Sequence, residues 1–151
     1  MTHWILIADA SDAKIYSMSG PNKPLELVRE ISNPQGRLLT QELVTDGPGR
    51  FNKSGSPGTR SAADPDTTAH EEVAREFARK LAAILRQEAE RNSYHSLSIA
   101  ASAHFLGILR ELLAKDVEQR LRATLPRDLK NIPAAQLRSH IDALLPAGVF
   151  I

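Results

Sequence analysis

Apolar positions come first as a near-continuous run, WILIA, between His3 and Ala8. A run this short and unbroken suits a strand buried on both faces. Residues 13–18, AKIYSM, form a second strand candidate. Only the four residues from Asp9 to Asp12 separate the two, which predicts an antiparallel hairpin. The cluster from Gly20 to Pro24 is a turn. Residues 25–31, LELVREI, then alternate roughly as a third strand. Residues 33–66 make a long connection, within which 37–44 reads equally as a short helix or a strand.

The rhythm then changes to helical spacing. Val73, Phe77, Leu81, Ile84 and Leu85 form an apolar stripe over residues 68–91. The run from Thr68 to Glu71 matches a capping box, and Asn92 with Ser93 is a stop signal. Residues 97–101, LSIAA, predict a short buried strand. Ser102 is placed to cap a helix over 103–115, which buries Phe105, Leu106, Leu109, Leu112 and Leu113. Residues 120–125 alternate as a half-exposed edge strand that Pro126 ends. Pro133 opens a last helix, with Leu137, Ile141, Leu144 and Leu145 on one face. The order βββ–loop–αβαβα predicts an α/β fold: a five-stranded mixed sheet flanked by helices. Strands 1–3 are expected antiparallel, and strands 4 and 5 parallel to strand 1.

Composition narrows the class. At 151 residues the chain is expected to be a single domain spanning 1–151. It has no cysteine, which removes disulfides, thiolate nucleophiles and cysteine metal sites. No signal peptide pattern opens it, and no apolar run approaches the roughly 20 residues of a membrane span. The expectation is a cytoplasmic protein without a membrane span. The net charge of +1 gives no overall pull toward nucleic acid or anionic lipid, so such binding needs a local patch.

Residues 47–63, GPGRFNKSGSPGTRSAA, supply one. They hold four glycines, two prolines, three serines, Arg50, Lys53 and Arg60, and no acid. A structureless segment this long is usually functional or disordered. It is expected to be a flexible basic loop. Backbone donors at Ser56 and Gly58 and the arginine guanidinia suit phosphate, and Arg75, Arg79 and Lys80 on the next helix extend the charge. Phe51 either stacks on a base or pins the loop to the body. The plainer alternative is a surface loop kept soluble by its charges.

Several blocks of this sequence resemble the bacterial host attachment proteins: WILIADASDAKIY at 4–16, NPQGRLLTQELVTDGPGR at 33–50, DPDTTAHEEVAREFARKLA at 64–82 and HFLGILREL at 104–112. That family in turn looks like the middle domain of eukaryotic and archaeal peptide-chain release factors. The resemblance implies a ribonuclease-H-like fold, with a glycine-rich loop before a long helix. In release factors this loop carries Gly-Gly-Gln. The matching stretch from Gly55 to Ser61 has neither the glycine pair nor the glutamine. The resemblance therefore implies a translation-related binding role without peptide release.

Other candidates have competing readings. Asp64, Asp66, His70, Glu71 and Glu72 have ligands suited to a divalent ion, but capping and the helix dipole account more simply for acids there. Asp9 ends the first strand, where a ribonuclease-H-type nuclease holds a metal. The run from Asp9 to Asp12 reads more readily as a turn with side-chain-to-backbone bonds, because strand 4 supplies no further carboxylate. Ser102 and His104, beyond the end of strand 4, are placed to line an anion site. His3, His95 and His140 show no ligand spacing. No phosphate-binding loop, nucleophile elbow or dinucleotide fingerprint appears. The expectation is a binding protein without cofactor, engaging RNA, the ribosome or another translation component. The alternatives are an attachment factor with a protein partner, and a metal-dependent hydrolase.

Overall fold

The computed structural model describes residues 2–20, 23–36, 38, 65–141 and 145. The loop at 47–63 and most of 37–44 lie outside these. The described elements are β1 (His3–Ala8), β2 (Asp12–Met18), β3 (Glu26–Ser32), α1 (Pro65–Glu90), β4 (Ser96–Ala101), α2 (Ala103–Leu112), α3 (Lys115–Arg120), β5 (Leu121–Leu125) and α4 (Ala134–Ile141).

The strands form one sheet in the order β3-β2-β1-β4-β5. β1 pairs antiparallel with β2, and β2 with β3. β4 runs parallel to β1, and β5 parallel to β4. The five-stranded mixed sheet with flanking helices is thus the architecture expected from the apolar pattern. β1 and β4 are buried at every position, as their unbroken apolar runs require.

Successive side chains on β1 serve two cores. Trp4, Leu6 and Ala8 pack with Phe77, Leu81 and Leu85 of α1 and with Phe105 and Leu109 of α2. Ile5 and Ile7 face the other way, onto Met18, Leu129, Leu137 and Ile141. Each such large side chain contributes about 1.5–3 kcal/mol on burial. The stripe on α1 is completed by alanines: Ala74, Ala78, Ala82 and Ala89 are all buried. Their small size lets the helix lie close to the sheet.

Three local expectations need correction. α1 begins at Pro65, so Thr68 lies inside the first turn and the capping box does not mark the start. Proline suits that first position because its fixed φ is already helical and its missing N–H has no partner to lose. Ser102 does sit at the N-cap of α2, but its side chain makes no capping hydrogen bond. Finally, α2 stops at Leu112 because Leu113 turns extended, with φ −69° and ψ 136°. Lys115–Arg120 is a separate short helix that buries Val117.

The stop after α1 is as expected. Asn92 adopts φ 57°. Ser93 N donates to Glu88 O at 2.9 Å, and Asn92 N to Ala89 O at 3.0 Å. This pair of bonds is a Schellman motif, and it satisfies carbonyls that the helix leaves open.

Candidate functional site

The carboxyl end of the central strands gathers most of the candidate chemistry. Ala8 and Ala101 are register partners, so the residues after β1 and those after β4 share one edge of the sheet.

Asp9 follows β1 directly. Its Oδ1 accepts hydrogen bonds from Ser11 N at 2.8 Å and Asp12 N at 2.9 Å. Asp9 N donates to Asp12 O at 2.9 Å. This is the side-chain-braced turn of the plainer sequence reading. The second oxygen, Oδ2, meets Lys130 Nζ at 2.7 Å, and Asp12 Oδ2 lies 3.5 Å from the same ammonium. Burial opposes the charge on Lys130. Hydrogen bonds and charge from Asp9, followed by those from Asp12, outweigh it and raise the lysine above its ordinary value. A lysine thus holds the cation position between these two carboxylates. Sequence reasoning missed Lys130, and no local pattern signals it.

The chain returns to this turn after β3. Asn33 Nδ2 donates to Ala10 O at 2.8 Å, and Asn33 N to Ser11 O at 2.8 Å. Gly36 lies against the same Ala10 carbonyl.

Past β4, His104 Nε2 is 3.0 Å from Glu71 Oε1. The histidine faces a carboxylate from α1, a partner that competes with any anion at its Nε2. Further along the same seam, Arg75 Nη1 is 3.8 Å from Glu111 Oε1. The two contacts tie α1 to α2. Arg79 and Lys80 are exposed and have no ion-pair partner among the described residues. His70 is half-buried on α1. No cluster of three or more metal-type side chains occurs among the described residues. Asp66 lies in the first turn of α1. Arg50, Phe51, Lys53, Ser56, Gly58, Arg60 and Asp64 lie outside the described residues.

Over residues 4–141 the chain matches the family described as a protein required for attachment to host cells. It belongs to that family.

The host-attachment family match spans every described strand except the first residue of β1. A comparison with curated proteins finds no match. Among solved structures, the chain is similar to an archaeal protein at 15% identity and TM-score 0.47, covering 99% of this chain and 36% of that one. It is also similar to an archaeal translation termination factor at 14% identity and TM-score 0.44, covering 94% of this chain and 38% of that one. The host-attachment chain therefore spans a little over a third of the length of either structure. No helix among its described residues is long and apolar enough to cross a membrane.

A second buried polar group sits at the opposite edge. His3 has 0% exposure. Its Nδ1 is 2.6 Å from Ser96 Oγ, and its Nε2 is 2.9 Å from Ser98 Oγ. The parallel register, which pairs His3 with Ser96, creates this contact.

Proposed function

We propose that this host-attachment family protein is a non-enzymatic RNA-binding protein, acting on the ribosome or another translation component through residues 47–63. The observation that carries the reading is the charge of that stretch: Arg50, Lys53 and Arg60 with no acid. Arg79 and Lys80 add two exposed cations without counter-ions among the described residues. Arg75 is a weaker contributor, because Glu111 already faces it. Catalysis finds less support, since Lys130 already fills the cation position between Asp9 and Asp12.

Gel shift with single-stranded RNA and ribosome pelleting, at low and high salt, test this. Three phosphate contacts give a salt slope of about −2, at roughly −0.7 per contact. Replacing Arg50, Lys53 and Arg60 together by alanine abolishes that slope. Binding that is absent at low salt, or indifferent to the triple substitution, sinks the reading.

A second reading follows from the family description: a protein-interaction factor in attachment to host cells. Leu27 and Val28 favour it, because they stand 53% and 44% exposed on the edge strand β3. Pull-down with the natural chain and with Leu27→Ser is the test. Recovery of the same partners by both sinks β3 as the docking edge.

A further inference from the structure

A cleft opens on the face of the sheet that α4 covers, away from α1 and α2. Tyr16 of β2, Leu25 just before β3, and Leu137 and Arg138 of α4 line it. Its volume is about 160 Å³. Tyr16 stands opposite Ile5 of β1, and both Tyr16 and Leu25 pack against the core that holds Leu137. The apolar walls are thus the outer margin of that core. Leu27, the register partner of Tyr16, stands exposed beside it and extends the apolar surface outward. Arg138 is the charged group of the lining. Its Nη1 donates to Lys23 O at 2.9 Å, which ties the guanidinium to the turn between β2 and β3. The cation is therefore held at the cleft rather than swinging in solvent. A guanidinium carries five N–H donors in a planar fork, so it serves a carboxylate together with its protein contacts.

We propose that this cleft binds a small aromatic monocarboxylate, with its ring against Tyr16, Leu25 and Leu137 and its carboxylate on Arg138. Size selects the ring, because an apolar cavity of about 150 Å³ holds one benzene molecule. A nucleotide or a long acyl chain exceeds that space. The walls select it too: two leucines and a phenol ring favour an apolar, flat partner over a sugar. The tethered guanidinium selects one anionic group on that ring. The site is separate from the RNA-binding reading, since it shares none of the residues that carry that reading and lies on the other face of the sheet from α1.

The probe is benzoate, titrated into the full nitrogen-15-labelled chain and followed by amide NMR shifts at constant ionic strength. Acetate and benzyl alcohol are titrated beside it. The expected result is saturable shifts gathered around Tyr16, Leu25, Leu137 and Arg138, with a Kd on the order of 1 mM for so small a ligand. Acetate lacks the ring and benzyl alcohol lacks the charge, so each should bind roughly tenfold more weakly. Arg138→Gln keeps a polar side chain and removes the charge. It should weaken benzoate roughly tenfold and leave benzyl alcohol unchanged. Leu25→Phe fills the cleft with the protein's own ring and should abolish benzoate binding with Arg138 in place. Circular dichroism checks that each variant is folded. If Leu25→Phe does not fold, Arg138→Gln carries the test, because the change lies at the rim of the core. Shifts that do not saturate, or that spread over the other surface cations, overturn the proposal. So do equal affinities for acetate and benzoate, or equal benzoate binding by the natural chain and Arg138→Gln.

Discussion

Lys130 Nζ lies 2.7 Å from Asp9 Oδ2, across 121 residues of sequence. The contact joins the β1–β2 turn to the segment after β5, and only about a fifth of either side chain is exposed. Lys130→Met keeps the stem and removes the charge, leaving two carboxylates facing one another. Its cost is about 1–2 kcal/mol, above the value of a fully exposed pair. Urea denaturation at neutral pH measures this. The sign with pH follows from the raised pKa of Lys130. Its contribution is complete below the unfolded lysine value of about 10.4 and is lost as pH rises through the folded value. The gap between natural chain and variant therefore closes in strong alkali. A constant gap up to that range, followed by no closure, contradicts the assignment.

Tyr94 supplies a second alkaline transition. It is fully buried, its hydroxyl donates to Leu85 O at 2.7 Å, and its ring stacks on Trp4 with centroids 4.7 Å apart. Burial pushes its phenol well above the ordinary range. The unfolded chain ionises at about pH 10 while the fold resists, so stability falls as pH rises beyond that point. Tyr94→Phe removes this slope and costs about 1–2 kcal/mol at neutral pH, by leaving the Leu85 carbonyl without its donor. For a domain of this size that is roughly 2–8 °C in melting temperature. The fluorescence of the single tryptophan, Trp4, reports unfolding. Equal alkaline slopes in the two proteins refute the account.

The sheet was legible because its signals are local and strong. β1 and β4 are uninterrupted apolar runs, and such runs have little choice but the middle of a covered sheet. β3 was legible as a strand but not in its exposure. Residues 25–31 alternate as if half-buried, yet only Ile31 is buried within the strand. β3 is the outermost strand of the sheet, and residues 26–30 are exposed on both faces, so the alternation in the sequence has no buried side to follow there. α3 escaped notice because six residues with one buried side chain, Val117, carry no periodicity. The site was half legible. The Asp9 turn reads from its own four residues, whereas Lys130, Asn33 and Gly36 reach it only through the tertiary fold. His3 was unreadable as a polar centre, since its partners Ser96 and Ser98 depend on strand register.

Asn92 tests the helix stop. At φ 57° an ordinary side chain costs roughly 1–2 kcal/mol, which asparagine reduces by local hydrogen bonding. Asn92 Oδ1 also accepts from Arg120 Nη2 at 3.3 Å, a long bond. Asn92→Val should destabilise by about 1–2 kcal/mol, and Asn92→Gly should remain within about 0.5 kcal/mol of the natural chain. Paired urea curves decide it. A valine variant as stable as the glycine one rejects the backbone argument.

His3 offers the sharpest contrast between removing one partner and removing all. His3→Leu fills similar space but takes away the ring nitrogens that meet Ser96 and Ser98 inside the sheet. Two buried hydroxyls then lose a partner, at about 1–3 kcal/mol for each group left unsatisfied. Changing His3, Ser96 and Ser98 together to Leu, Ala and Ala removes all three of these polar groups at once. The triple variant should recover part of the loss, because apolar replacement of a whole network costs less than breaking it. A double-mutant cycle between positions 3 and 98, followed by urea unfolding, measures the coupling at roughly 0.5–3 kcal/mol. A coupling of zero would mean that the short contacts hold no joint energy, and the buried histidine would then owe its place to packing alone.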